Sequence, residues 1–227
     1  MSLLDALQTV EAKPSLIMGA VVGVVTNNQD PDELGRVKVK IPSISSDEES
    51  AWARVTSPMA GSDRGLFYLP EVDDEVLLAF EYGDISRPFV IGSLWNGVDK
   101  PPEKNSDGKN NIRMIKSRSG HVISLNDEDG KEKIEIIDKS GENSISIDTE
   151  KNTITITAKD EIKIVTADGK ISIEAKEAKL TVKEKLEIKA KELKIETDSN
   201  IEIKSGADLK LEASGNLDAK GSAINLN

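Results

Sequence analysis

Between residues 16 and 95 the apolar positions fall into short runs separated by turn residues: LIMGAVVGVV, GRVKVKIP, AWARVTSP, GLFYLP, EVLLAFEY and PFVIGSLW. In GRVKVKIP, Val37, Val39 and Ile41 alternate with Lys38 and Lys40. That alternation puts three apolar side chains on one face and the charges on the other, as in a half-buried antiparallel strand. Runs of this length at roughly regular spacing predict a small barrel or sandwich, and a closed barrel of five or six strands uses them economically.

From Lys133 onward a different rule applies, a recurring apolar-x-apolar unit. It appears as IEI (134–136), ISI (145–147), ITI (154–156), IKI (162–164), ISI (171–173) and LTV (180–182). It continues as LEI (186–188), LKI (193–195), IEI (201–203), LKL (209–211), LDA (217–219) and INL (224–226). Twelve units begin across the 90 residues from Ile134 to Ile224, a mean spacing of 90/11, or about 8. Period 2 within each unit specifies strand. The stretch AKEAKLTVKEKLEIKAKELKIE has the composition of a charged helix. Its apolar pairs do not keep the i, i+3, i+4, i+7 rule, however, and the isoleucine content favours strands.

Each unit offers only about two apolar side chains to a core, too little to offset the entropy of ordering its strand alone. Two architectures supply neighbours: a monomeric solenoid with three units per turn, or three chains wound around one another. In the intertwined form each unit climbs one strand spacing of about 4.8 Å, so the needle is roughly 55–60 Å long, and a solenoid about a third of that. Periodicity alone does not separate them. In the trimeric form the axis would be lined by Ile154, Ile156, Ile162, Ile164, Ile171, Ile173, Leu186, Ile188, Leu193, Ile195, Ile201 and Ile203.

Composition marks a boundary between the two patterns. All seven aromatic residues and all eight prolines lie at or before Pro102, and KPPEKNSDGKNN (100–111) reads as an exposed connection. The expected organisation is an N-terminal segment (1–15), a barrel (16–99), a linker (100–111) and a β-helical spike (112–227). Of the net charge of −11, residues 1–111 carry −8 and residues 112–227 carry −3. This balance disfavours nucleic acid or an anionic membrane as partner, because phosphate contacts need clustered Lys and Arg. The second half reads as a surface of interspersed Lys and Glu. Absence of cysteine removes disulfides and thiolate chemistry, and the lone His121 removes any site that needs two imidazoles from one chain. No run of about 18 apolar residues occurs, and MSLLDALQTVEAKP carries Asp5 and Glu11 where a signal peptide would be basic and then apolar. Synthesis in the cytoplasm without a signal peptide is the expectation.

The sequences DELGRVKVKIP (32–42) and WARVTSPMAGSDRGLFYLPEVDDEVLLAFEYGDISRPFVIGSLWNGVDKPP (52–102) resemble the signature of the VgrG and phage baseplate assembly protein V family. The ordered motifs are G-R-V-x-V-x-x-P, W-A-R-V, P-x-A-G, D-E-V, G-D-x-x-R-P and G-S-x-x-N-G. The resemblance implies an all-β protein: an OB-fold barrel followed by an intertwined β-helix that forms as a homotrimer. It also implies the role of central spike in a contractile injection system, a phage tail or type VI machine that punctures a target envelope. Only about 15 residues precede the first barrel strand, so a separate hub protein is expected at that end. A PAAR-like tip protein is implied on the other, at Ile224, Asn225, Leu226 and Asn227. Some similar spikes hold a histidine-ligated iron at the tip. The last 100 residues here contain no His, so neither metal nor cofactor is expected.

Enzymatic readings are poor. LNDEDGKEKIEI imitates a calcium loop, but its first and last positions are Leu125 and Ile136, so a turn at Asp129-Gly130 is the better reading. Glu71, Asp73, Asp74 and Glu75 beside Pro70 read as a solvated turn rather than paired catalytic carboxylates. Ser62 is misplaced for a G-x-S-x-G elbow, and His121 has no nucleophile motif to serve. Nucleic-acid binding by the barrel would need stacking aromatics on a basic groove, whereas Trp52, Tyr68 and Phe80 suit a core or intersubunit contact. The remaining competitor is a monomeric solenoid adhesin.

Overall fold

A computed structural model of the chain describes residues 16–225. Its architecture is all-β, with no α-helix among the described residues and one 3-10 turn at Glu81–Gly83. Five strands close a barrel: β1 (Val21–Asn27), β2 (Arg36–Lys40), β3 (Ala53–Val55), β6 (Glu75–Phe80) and β7 (Pro88–Ser93), in the order β1-β2-β3-β7-β6. All pairings are antiparallel except β3 with β7. A two-strand hairpin, β4 (Ala60–Gly61) with β5 (Arg64–Gly65), interrupts the barrel between β3 and β6.

The alternation read in the sequence is the alternation of burial. Val37 and Val39 are fully buried and Ile41 nearly so, packed with Val25, Ala53, Val76, Leu78, Phe80 and Val90. Gly23 permits close approach inside the wall: a Cβ there would lie 2.9 Å from Leu78 Cδ1 and 3.0 Å from the Lys40 carbonyl oxygen. The loop before β2 is held by the buried carboxylate of Asp30. It accepts from Arg36 Nε at 2.7 Å and Nη2 at 2.6 Å and from the backbone N–H groups of Asp32, Leu34 and Arg36. GLFYLP departs from its expected strand. Only Arg64–Gly65 pairs, and residues 66–70 leave the sheet with Phe67 79% exposed. The apolar run carries no alternation, and from it only Leu69 packs against the barrel core.

Downstream lies a five-strand antiparallel meander: β8 (Ile112–Lys116), β9 (Val122–Asn126), β10 (Lys133–Ile137), β11 (Ser144–Asp148) and β12 (Thr153–Thr157). Each reversal contains one residue in the left-handed region: Gly120, Gly130, Gly141 and Asn152. Glycine, and next asparagine, bear that conformation at least cost. The first three repeat units therefore pair within the chain, one on each of β10, β11 and β12.

Cα packing divides the chain into two compact units, the first ending at Ile164 and the second running from Val165. Among the described residues after Thr157 no strand forms, and no residue there has a positive φ. The expected β-helix is thus not seen among the described residues of the single chain. The units that follow keep the apolar-x-apolar pattern without a partner for their backbone.

Candidate functional site

Register turns the repeat into a surface. Along the meander Ile115, Ile123, Ile136, Ile145 and Ile156 are successive cross-strand partners, and so are Leu125, Ile134, Ile147 and Ile154, with Arg113 at the β8 end of the second row. Both rows project to the same side, because the side chains two apart on a strand share a face. The other side is mixed, with Ser124, Glu135, Ser146 and Thr155 beside Ile112, Met114, Val122 and Ile137. All nine aliphatic side chains of the two rows are exposed, from 37% at Ile147 to 72% at Ile154.

An antiparallel sheet ordinarily packs its apolar face on a core. Here the apolar face is open, while alternate positions on β9, β10 and β11 are the more buried ones. Burying an Ile or Leu side chain fully is worth about 1.5–3 kcal/mol, so a face of this size is a strong driving force for association.

The turns that frame this face are stiff. Asp138 accepts from Asn143 Nδ2 at 2.9 Å, from Ser140 Oγ at 2.7 Å and from backbone N–H groups of the same turn. The Asn143 and Ser140 hydrogen bonds hold its carboxyl down at about 2. Asp148 closes the next turn by accepting from the Lys151 backbone N–H at 2.9 Å and from Nζ at 2.9 Å. Lys151 thereby lowers the Asp148 pKa, backbone first and side chain second.

Of the twelve residues expected on an axis, Ile154 and Ile156 lie in these rows. Ile162, Ile164, Ile171, Ile173, Leu186, Ile188, Leu193, Ile195, Ile201 and Ile203 lie in the segment without strand pairing and are each more than half exposed. Ile224 and Asn225 of the expected tip contact are exposed, and Leu226 and Asn227 fall outside the described residues. The N-terminal segment assigned to a hub, residues 1–15, falls outside them too.

Residues weighed for chemistry are occupied structurally. Asp74 Oδ2 accepts the Glu71 backbone N–H at 2.8 Å, and the Glu71 carboxylate accepts from Arg118 Nη1 at 2.7 Å. His121 Nδ1 accepts the Lys139 backbone N–H at 3.2 Å. The Asp129-Gly130 segment is a turn between β9 and β10, with Lys131 N–H donating to the Glu128 carbonyl at 2.8 Å. On the barrel exterior Arg36 and Lys38 lie over Trp52, and Arg54 over Phe89. Asp30 and Asp32 neutralise Arg36, and Glu49 pairs with Lys38, so this is not the basic stacking groove that single-stranded nucleic acid requires.

The barrel itself carries the decisive likeness. Residues 21–95 match the model of the type VI secretion system/phage-baseplate injector OB domain. The barrel is similar to this injector OB domain. The matched residues run from β1 to just past the end of β7, the whole closed barrel. The chain is 31% identical over 134 residues to the type VI secretion system spike protein VgrG3 of Vibrio cholerae serotype O1, covering 54% of this chain and 13% of that protein. It is 27% identical over 135 residues to spike protein VgrG1a of Pseudomonas aeruginosa, covering 57% of this chain and 20% of that protein. Identity to the actin cross-linking toxin VgrG1 of V. cholerae serotype O1 is 29% over 126 residues, covering 52% and 12%. The chain thus matches from an eighth to a fifth of the length of these VgrG relatives. No helix among the described residues is long and apolar enough to cross a membrane.

Proposed function

We propose that this chain is a spike subunit of a contractile injection system, a mechanical part rather than an enzyme, working as a homotrimer. The observation that carries the reading is the open aliphatic face of β8–β12, attached to a barrel similar to the injector OB domain. Three copies, each turning this face inward, enclose a dry prism, and the later repeat units extend it as an intertwined β-helix whose strands pair between chains. Antiparallel pairing within the chain up to Thr157 gives way to pairing between chains beyond it.

In this reading the barrel end meets a hub protein and Ile224 and Asn225 lie near a PAAR-like tip protein, as parts of a phage tail or secretion particle that leaves the cell. Envelope puncture requires stiffness, which continuous interchain hydrogen bonding and an aliphatic axis provide.

Light scattering on the purified chain tests the reading. A trimer of three times 24.6 kDa, about 74 kDa, is expected. A stable monomer refutes the intertwined assembly and favours the solenoid adhesin.

A further inference from the structure

In five successive repeat units, from LEI (186–188) to LDA (217–219), the residue between the two apolar positions is charged, and its sign alternates. In chain order these are Glu187, Lys194, Glu202, Lys210 and Asp218. The outward position two residues further alternates in the opposite phase: Lys189, Glu196, Lys204, Glu212 and Lys220. Within the single chain the two positions already face the same side. Glu187 pairs with Lys189 and, at 2.6 Å, with Lys185. Lys194 meets Glu196 at 2.6 Å, Lys210 meets Glu212 at 2.6 Å, and Lys204 meets Glu202. These pairs are exposed and contribute little to one chain. Alternation over five units is not needed for such local pairing, since any unit could use either sign order.

We propose that the outward faces of residues 185–220 form an electrostatic register surface whose partner is the adjacent unit of a second copy of this chain. The proposal rests on the trimeric reading above. When three chains share three faces and each changes face at every unit while climbing one strand spacing, the strand above a given unit is the next unit of a neighbouring chain. Glu187 then faces Lys194 of the neighbouring copy and Lys189 faces its Glu196, and the same holds at each step to residue 220. A two-unit step would oppose Glu187 to Glu202 and Lys194 to Lys210. Like charges directly opposite are destabilising and opposite charges favourable, so the alternation selects the one-unit stagger. Upstream, Ser172 and Thr181 leave the equivalent column without alternation, so the selecting surface starts at Glu187.

The chain has no cysteine, which makes the register directly readable. Adjacent strands lie about 4.8 Å apart, within disulfide reach, whereas two spacings, about 9.6 Å, are not. Oxidation of the full-length E187C/K194C variant should give a covalent trimer on a non-reducing gel, and oxidation of E187C/E202C should give none. A crosslink in the second variant, or none in the first while light scattering reports a trimer, overturns the stagger. A monomer by light scattering overturns the trimeric reading itself. In parallel, K194E/K210E makes the first column wholly acidic and should lower the unfolding midpoint at low salt, with the loss shrinking at high salt. Adding E187K, E202K and D218K together with K189E, E196K, K204E, E212K and K220E inverts both columns, keeps the pairs within and between the two columns opposite in sign, and should restore the midpoint; failure to do so overturns the charge mechanism.

Discussion

Gly23 and Asp138 show how single positions constrain this fold. Gly23 lies within β1 where a Cβ would crowd Leu78 Cδ1 and the Lys40 carbonyl, so that these neighbours would have to shift. Gly23→Ala should therefore destabilise the barrel by about 1–3 kcal/mol, the usual cost of overpacking, seen as a lower urea midpoint with unchanged slope. Asp138 works through charge. Its carboxyl is held at about 2 in the folded chain against an ordinary 3.8, so the folded state favours the ionised form. Its contribution is complete above pH 3.8 and disappears as pH falls through about 2. Asp138→Asn should flatten the stability profile across that window in acid-unfolding titrations. An unchanged profile would mean that the Asn143 and Ser140 contacts do not persist in solution.

At the scale of elements, the two faces of the meander make opposed demands. Ile145 lies in the middle of an aliphatic row and its neighbour Ser146 on the other side. Ile145→Lys would bring three ammonium groups into the prism of an assembled trimer, at a cost of several kcal/mol. Ser146→Lys, which faces Glu135 across β10, should cost less than about 0.5 kcal/mol. Sedimentation of the two variants side by side is the check, with trimer lost only for Ile145→Lys. The strands themselves were legible from period-2 alternation wherever one face is apolar, as at Val37, Val39 and Ile41. Where alternation fails, as in LFYLP, the same reasoning overcounts. The direction of pairing was the harder part. Units before and after Thr157 look alike in their apolar residues, and what separates them is the left-handed residue at each reversal, Gly120, Gly130, Gly141 and Asn152. Glycines also occur later, at Gly206 and Gly215, without positive φ, so composition alone does not reveal the change.

For the whole molecule, the sequence contained the surface but not its cover. A repeat of two apolar residues states that neighbours are needed. Their number comes from the family resemblance, and the sheet register adds only that the apolar rows are continuous and open. The tip belongs to this scale as well. Removing residues 222–227 should leave the trimer intact, because about eleven repeat units per chain remain, while abolishing capture of a PAAR-like tip protein in a pull-down. Loss of the trimer would instead assign the last unit to locking the assembly.

The unpaired stretch after Thr157 has a consequence for resistance to proteolysis. It is dense in lysine, and in one chain its backbone has no strand partner, so it presents extended peptide of the kind a protease must bind to cut. Once the same backbone is committed to neighbouring strands, that peptide cannot be drawn into a protease cleft, although every lysine stays on the surface. In the proposed trimer, digestion would then destroy unassembled chains and spare assembled ones, so that assembly itself would serve as quality control.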